Sequence, residues 1–296
     1  MKYLFILSTC IYLFTSCNSS VSFKKNASNG LTTSGHNLSC EEANIFINDE
    51  PFNENEIVYG EDVSFKFMGI NGFKSENGMV FPGMKVVITN SKGEEIVKFD
   101  DLYDDKKSLP DNNELILTAN LTFAKPLVSG EKYKAEILIW DKKSDGTFKT
   151  NYAFSLIENP VIEITTSNLE YQEVYLFSED KTVTDNVISN STINYIIFEG
   201  LSGFNSKNEI AYPGLNLIVS DSKGNVLIEE EDLLEAYNGS GLKEDELSNQ
   251  LRASFNLNDY DFNLSGQNIH IYIMVWDKEV GSGEAFLEIN ADCEVK

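Results

Sequence analysis

Histidine is scarce in this sequence, and its scarcity excludes most catalytic constellations. The 296 residues include two histidines, and no pair of cysteines has metal-ligand spacing. His36 lies in a polar N-terminal stretch, and His270 alternates with inward-facing isoleucines on a predicted strand. No phosphate-cradling loop is present. We therefore expect no enzyme, since the remaining catalytic hypothesis would need two carboxylates converging in a cleft.

Basic residues are also few. Lysine and arginine together number 23 against 47 aspartates and glutamates, which gives a formal charge of −24. Nucleic acids and anionic lipid surfaces are poor partners for such a chain, because like charges repel. Cations and basic protein surfaces remain as partners, unless the acidity serves only to keep an exported protein soluble.

Long apolar runs are lacking, apart from one at the N-terminus that is too short to span a bilayer. One lysine precedes this run and small residues follow it, which predicts a signal peptide over residues 1–16. Its end, Phe14-Thr15-Ser16-Cys17, resembles a lipobox, although Phe14 stands where leucine is usual. The resemblance implies cleavage before Cys17 and a lipid on its sulfur. An ordinary secretory signal is the alternative.

Residues 17–39 are mostly serine, asparagine, threonine and glycine. Because this composition offers little apolar surface to bury, we predict a flexible tether between the lipid and a globular region.

Two cysteines remain beyond the lipidation site, Cys40 and Cys293, and they bracket the globular region. An exported protein keeps disulfides, so a bridge between them is favoured over two free thiols. The bridge requires the two ends of the globular region to lie side by side, because bridged Cα atoms are about 5.5 Å apart.

The globular region contains an internal duplication. Several motifs recur in the same order, and the copies keep register without a gap from about residue 45 to residue 105. The matched segments are 67–73 with 198–204, 81–83 with 212–214, 91–93 with 222–224, 101–102 with 232–233, and 139–142 with 275–278. A unit this long is a domain rather than a solenoid repeat.

Both copies have the pattern of antiparallel strands. Residues 132–139 and 269–275 alternate strictly between apolar and polar, which is typical of a half-buried strand. Glycines in the 91–93 and 222–224 segments favour tight turns, and only 232–237 and 243–251 favour short helices. We predict an all-β protein of two tandem, internally duplicated immunoglobulin-like β-sandwich domains, over residues 40–166 and 167–296.

Five aromatic residues are candidate ligand contacts. Phe73 and Phe204 end the repeated Gly-x-x-Gly-Phe motif, where they contact a ligand or else plug the end of a sandwich. Trp140 and Trp276 lie by alternation on the face opposite the isoleucines, and Trp276 shares its face with Tyr272. They are sugar platforms or protein anchors, unless they pack against a loop or a second sheet.

Acidic runs occupy matching places in the two copies. In the first copy they supply Asp100, Asp101, Asp104 and Asp105, and residues 229–232 match them in the second. Clustered carboxylates suit calcium, but the spacing of a dedicated calcium loop is missing. Solvated acidic turns are favoured, and no cofactor is expected.

Through Cys17 and the duplicated all-β unit, the chain resembles exported lipoproteins of the Bacteroidota style. The resemblance implies a lipid-anchored, non-catalytic interaction protein of the cell envelope, on either the periplasmic or the outer face of the outer membrane, as an accessory to a larger surface complex. The alternative is a carbohydrate-binding surface lipoprotein that stacks sugars on Trp140, Trp276 and Tyr272. Its expected partners are therefore the membrane, through the lipid, and an envelope protein or glycan.

Overall fold

A computed structural model describes residues 21–25, 30–106, 108–112, 115–260 and 264–296. The protein is all-β and forms two immunoglobulin-like sandwich domains, as predicted. The predicted signal peptide and Cys17 lie outside the described residues. Within the described ranges, no helix has both the length and the apolar character needed to cross a bilayer.

Within the described residues, the first domain contains thirteen strands. They are β1 (Val21–Lys25), β2 (Thr32–His36), β3 (Ser39–Ile47), β4 (Glu50–Phe52), β5 (Glu56–Val58), β6 (Asp62–Asn71), β7 (Met79–Val80), β8 (Pro82–Asn90), β9 (Glu95–Phe99), β10 (Leu109–Pro110), β11 (Ile116–Thr122), β12 (Lys132–Asp141) and β13 (Thr147–Ile157). One large sheet has the order β1-β2-β13-β12-β8-β9, with β5 parallel to β13, and the facing sheet has the order β11-β6-β3-β4. Strands β7 and β10 form a separate two-stranded sheet.

The second domain repeats this arrangement. Its strands are β14 (Ile162–Ser167), β15 (Glu173–Ser178), β16 (Lys181–Thr182), β17 (Val187–Ile188), β18 (Asn194–Glu199), β19 (Ile210–Ala211), β20 (Pro213–Asp221), β21 (Val226–Glu230), β22 (Leu242–Lys243), β23 (Leu251–Phe255), β24 (Asn268–Asp277) and β25 (Phe286–Val295). The two larger sheets have the orders β14-β25-β24-β20-β21, with β17 parallel to β25, and β16-β15-β18-β23. Strands β19 and β22 form a separate two-stranded sheet. The helices among the residues that the structure describes are α1 (Glu244–Asn249) and two 3₁₀ turns (Glu235–Tyr237 and Leu257–Tyr260).

Side-chain alternation places the two cores between the sheets. On β12 the inward residues Tyr133, Ala135, Ile137 and Ile139 are all 6% exposed or less. The equivalent residues of β24 are Ile269, Ile271, Ile273 and Val275, which are at most 1% exposed. The strand prediction from period-two alternation is therefore confirmed in both copies.

The domain boundaries lie earlier than the sequence predicted. Part of the expected tether is folded, because β2 pairs with β13 and β1 pairs with β2. Leu31 and Leu38, on either side of β2, are 1% and 2% exposed. Likewise β14 pairs with β25 of the second sandwich, so the first domain ends between Ile157 and Ile162 rather than at residue 166.

The expected disulfide is absent, so that expectation is wrong. Cys40 lies in β3 of the first domain, and its thiol donates to the carbonyl oxygens of Glu42 and Met68, at 3.0 and 3.4 Å. Cys293 lies in β25 and is 2% exposed in the core of the second domain. Burial, helped by nearby carboxylates, raises the pKa of the Cys293 thiol to about 12. Each sulfur therefore belongs to the packing of its own domain.

The two domains contact each other through buried polar groups. The Tyr59 hydroxyl of the first domain donates to Glu199 Oε2 of the second at 2.9 Å, and Tyr175 donates to Oε1 at 3.0 Å. The Tyr59 and Tyr175 rings lie 5.6 Å apart. The Ser129 amide donates to Glu173 Oε1 at 2.6 Å. We call these five residues the junction.

Candidate functional site

In each sandwich the Trp-Asp-Lys motif contacts the loop that begins with the Gly-x-x-Gly-Phe motif. In the second domain Asp277, fully buried, accepts hydrogen bonds from the amides of Asn205 at 2.5 Å and Glu279 at 2.8 Å. In the first domain Asp141 accepts from the amides of Lys74 at 2.7 Å and Lys143 at 3.0 Å. The aspartate of each Trp-Asp-Lys motif therefore fixes the residue that follows Gly-x-x-Gly-Phe.

Two positions of that loop require glycine because the backbone of another segment lies very close to them. Gly72 and Gly203 have φ of +103° and +91°, and a Cβ on either would overlap the carbonyl oxygen of Asn37 or Asn168. Only glycine avoids this contact in that backbone conformation. The motif recurs in both copies because the fold needs it.

Phe73 and Phe204, the first two candidate ligand contacts, pack against the cores of their own domains. Phe73 is half-buried against the first core, and Phe204 is 8% exposed within the second. A pocket of about 330 Å³ opens beside Phe204. Its lining residues come from the Gly-x-x-Gly-Phe loop and from α1; they are Leu201, Ser202, Gly203, Phe204, Glu244, Asp245, Leu247 and Ser248.

Trp140 and Trp276 lie on the outer faces of the large sheets, half-buried, and each covers a glycine. Trp276 is opposite Gly214 on β20, and a Cβ on that glycine would overlap Cε2 and Cζ2 of the indole. Trp140 covers Gly83 on β8 in the same way. This contact explains why Pro-Gly and Trp-Asp-Lys recur together, and it leaves each ring fixed on the sheet surface.

A Gly214→Ala substitution should therefore displace the Trp276 ring. Overpacking of this kind costs about 1–3 kcal/mol of the free energy of unfolding. Urea unfolding followed by tryptophan fluorescence measures it. Gly283→Ala is the matched control, because nothing lies within 4 Å of a Cβ there. Equal effects of the two substitutions would contradict the assigned contact.

Tyr272 lies on the same outer face as Trp276. Its hydroxyl donates to Glu288 Oε2 at 3.3 Å. Burial and the charge of Glu288 raise the pKa of Tyr272, so the hydroxyl stays protonated at neutral pH. The structure therefore places two of the three platform candidates on one face of the same strand, while Trp140 is in the other domain.

The candidate calcium ligands do not converge. Asp101 accepts from the amides of Met84 and Tyr103, at 3.0 and 2.9 Å, and pairs with Lys142 Nζ at 2.7 Å. Partial burial acts to raise the pKa of Asp101, but these hydrogen bonds and the lysine charge outweigh it and lower the pKa. Asp100 pairs with Lys98 at 3.0 Å.

Asp104 and Asp105, the other two candidates, lie on an exposed turn. Among the residues that the structure describes, no group of three or more histidines, cysteines or carboxylates is placed to hold a metal ion.

A groove on the open side of the second domain was missed by the sequence analysis. It lies between β21 and β23, has a volume of about 240 Å³, and we call it the edge groove. Its lining residues are Ile193, Leu217, Ile228, Glu230, Leu233, Ser254, Phe255, Asn256 and Asp259. Within the described residues, β21 and β23 each pair with a neighbouring strand on one side only.

The edge groove has an apolar base and a rim that is apolar and acidic. Leu217, Ile228 and Phe255 are at most 6% exposed, whereas Ile193 and Leu233 are 47% and 37% exposed. Exposed apolar side chains next to unpaired strand edges are typical of a surface that receives another polypeptide.

Comparisons with known proteins identify no family. No family model matches the chain, and no curated protein matches it. Among solved structures, the chain is similar to dimeric latent PorU from Porphyromonas gingivalis, with 11% identity and a TM-score of 0.27. It is also similar to trypsin-activated alpha-2-macroglobulin from Escherichia coli, with 8% identity and a TM-score of 0.25.

These alignments cover 87% and 85% of this chain but only 20% and 15% of the other two. The chain thus spans about a fifth or less of the length of either protein, and the likenesses concern the fold alone.

Proposed function

We propose that this chain is a non-catalytic, lipid-anchored interaction protein of the cell envelope, at the outer membrane, that serves as an accessory to a larger surface complex. The observation that carries this proposal is the edge groove, where exposed apolar side chains lie between two unpaired strand edges. The buried junction supports it further, because hydrogen-bonded domains present such a surface in a fixed orientation.

The anchor is tested through Cys17. The full chain, expressed in a bacterial host with radiolabelled palmitate, should incorporate label and fractionate with membranes. Cys17→Ala should lose both properties. An unlabelled wild-type chain, or a labelled Cys17→Ala variant, would contradict lipidation at this residue.

The interaction is tested by crosslinking. A photoreactive residue at position 233, on the rim of the edge groove, should give a defined crosslinked protein in native envelopes. A photoreactive residue at position 280 is the control, because Val280 is 38% exposed but is not part of the groove. Identical products from both positions, or no product at all, would contradict the proposal.

Carbohydrate binding is the alternative, and the outer face of the second domain favours it. The Trp276 ring covers Gly214, and Tyr272 shares its face. Aromatic rings fixed in this way are suited to stack against sugars. A glycan array should then give binding that Trp276→Ala abolishes. Binding to no glycan would remove this alternative and leave the protein–protein proposal in place.

A further inference from the structure

We propose that the edge groove binds an extended, lysine- or arginine-bearing segment of a partner protein. This inference rests on the proposed function, because it names the partner chemistry for the same surface. A sugar or a second copy of this chain in the groove is an alternative outcome of the test.

The apolar lining of the groove favours a partner that carries an apolar side chain. Leu233 and Ile193 are among the most exposed large apolar side chains of the described residues, and both are on this rim. An apolar side chain of the partner can cover both while it contacts Ile228 and Phe255 below. Burial of apolar area contributes about 25 cal/mol per Å².

The acidic side chains of the groove favour a partner that carries positive charge. Glu230 and Asp259 line the groove, and two further exposed glutamates adjoin Glu230, namely Glu229 on β21 and Glu231 directly after it. Lys278, which could neutralise this region, is already paired with Asp232 at 2.6 Å. Opposite charge on the partner is therefore complementary, and an acidic segment would be repelled.

The strand edges account for the extended conformation. A peptide that adds to a sheet edge gains main-chain hydrogen bonds, while its alternate side chains enter pockets. We assign the pairing edge to β21 rather than β23, because β23 carries Arg252. The β21 edge has five residues and a register shift against β20, so main-chain hydrogen bonds along it are few. A segment that binds there therefore also needs charges that match those of the groove.

The test uses the full chain in detergent and a short peptide of alternating valine and lysine. This peptide should bind with an affinity that falls as salt rises, because exposed charges are screened. A peptide with glutamate in place of each lysine should not bind. Glu230→Lys should weaken binding about tenfold or more. Glu163→Lys, on β14 at the opposite edge of the same sheet, makes the same change of charge and should leave the affinity unchanged.

A second pair of variants tests the apolar contact without changing charge. Leu233→Ser should weaken binding, and Val280→Ser, at a residue of nearly equal exposure, should not. Binding of both peptides, binding of neither, or equal loss in a variant and its control would each overturn the inference. If position 233 still gave a specific crosslink in envelopes, the proposed function would survive and only the basic, extended partner would be rejected.

Discussion

An Asp277→Ala protein is expected to lose about 3 kcal/mol of the free energy of unfolding. The fully buried Asp277 carboxylate accepts from two backbone amides, those of Asn205 and Glu279. Each buried donor left without an acceptor costs about 1–3 kcal/mol, and alanine supplies no acceptor. Chemical denaturation measures the loss. Hydrogen exchange at the Asn205 amide should accelerate as well, because that amide is held by Asp277.

A graded series separates the hydrogen bonds from packing. Asp277→Asn keeps the side-chain shape and one acceptor oxygen, so its stability should lie between the wild-type and alanine proteins. Glu284→Ala, at an exposed position in the next turn, is the control and should change stability by no more than about 0.5 kcal/mol. An asparagine variant as unstable as the alanine variant would indicate that the negative charge matters, rather than the number of acceptors.

The sequence was sufficient for the fold class because the signals are local. Alternation over 132–139 and 269–275 follows directly from the two-residue period of a strand, and both strands are observed. The recurrence of Trp-Asp-Lys and Gly-x-x-Gly-Phe predicted two copies. Neither motif alone predicts that the aspartate of one holds the loop of the other, because Asp277 and Asn205 are brought together only by the fold.

The domain boundaries were misplaced because β2 and β14 are edge strands with weak local patterns. Residues 32–36 read Thr-Thr-Ser-Gly-His, a composition typical of a linker, and their strand conformation comes from pairing with β13. Strand propensity depends strongly on such context. A clue was available in Leu31 and Leu38, which flank this segment and are both buried.

The edge groove and the junction had no sequence signal. Ile193, Glu230, Leu233 and Phe255 come from separate segments, and strand pairing alone places them together. Glu173 corresponds in the repeat to Glu42, which is exposed, so the copies gave no reason to expect a buried carboxylate there. Glu173 is buried and Glu42 is exposed because only Glu173 lies where the two domains meet.

The buried junction should make stability depend on pH through Glu173. Burial, reinforced by the charges of Glu158 and Glu199, raises the pKa of Glu173 from 4.5 to about 7, although the Ser129 amide opposes this. The folded state therefore binds the proton more tightly than the unfolded state does. The stabilisation is fully present below pH 4.5, falls as pH rises, and is lost above about pH 7.

A Glu173→Gln protein should remove this dependence, because glutamine keeps an acceptor for the Ser129 amide and has no carboxyl to ionise. Relative to wild type, its stability should rise from about pH 5 to about pH 8, as measured by urea unfolding at each pH. Glu42→Gln makes the same change at the exposed, equivalent position of the first domain and should track the wild-type protein. If Glu173→Gln also tracked wild type, the titrating group would be another one, and Glu173 would have to be charged at the junction throughout this range.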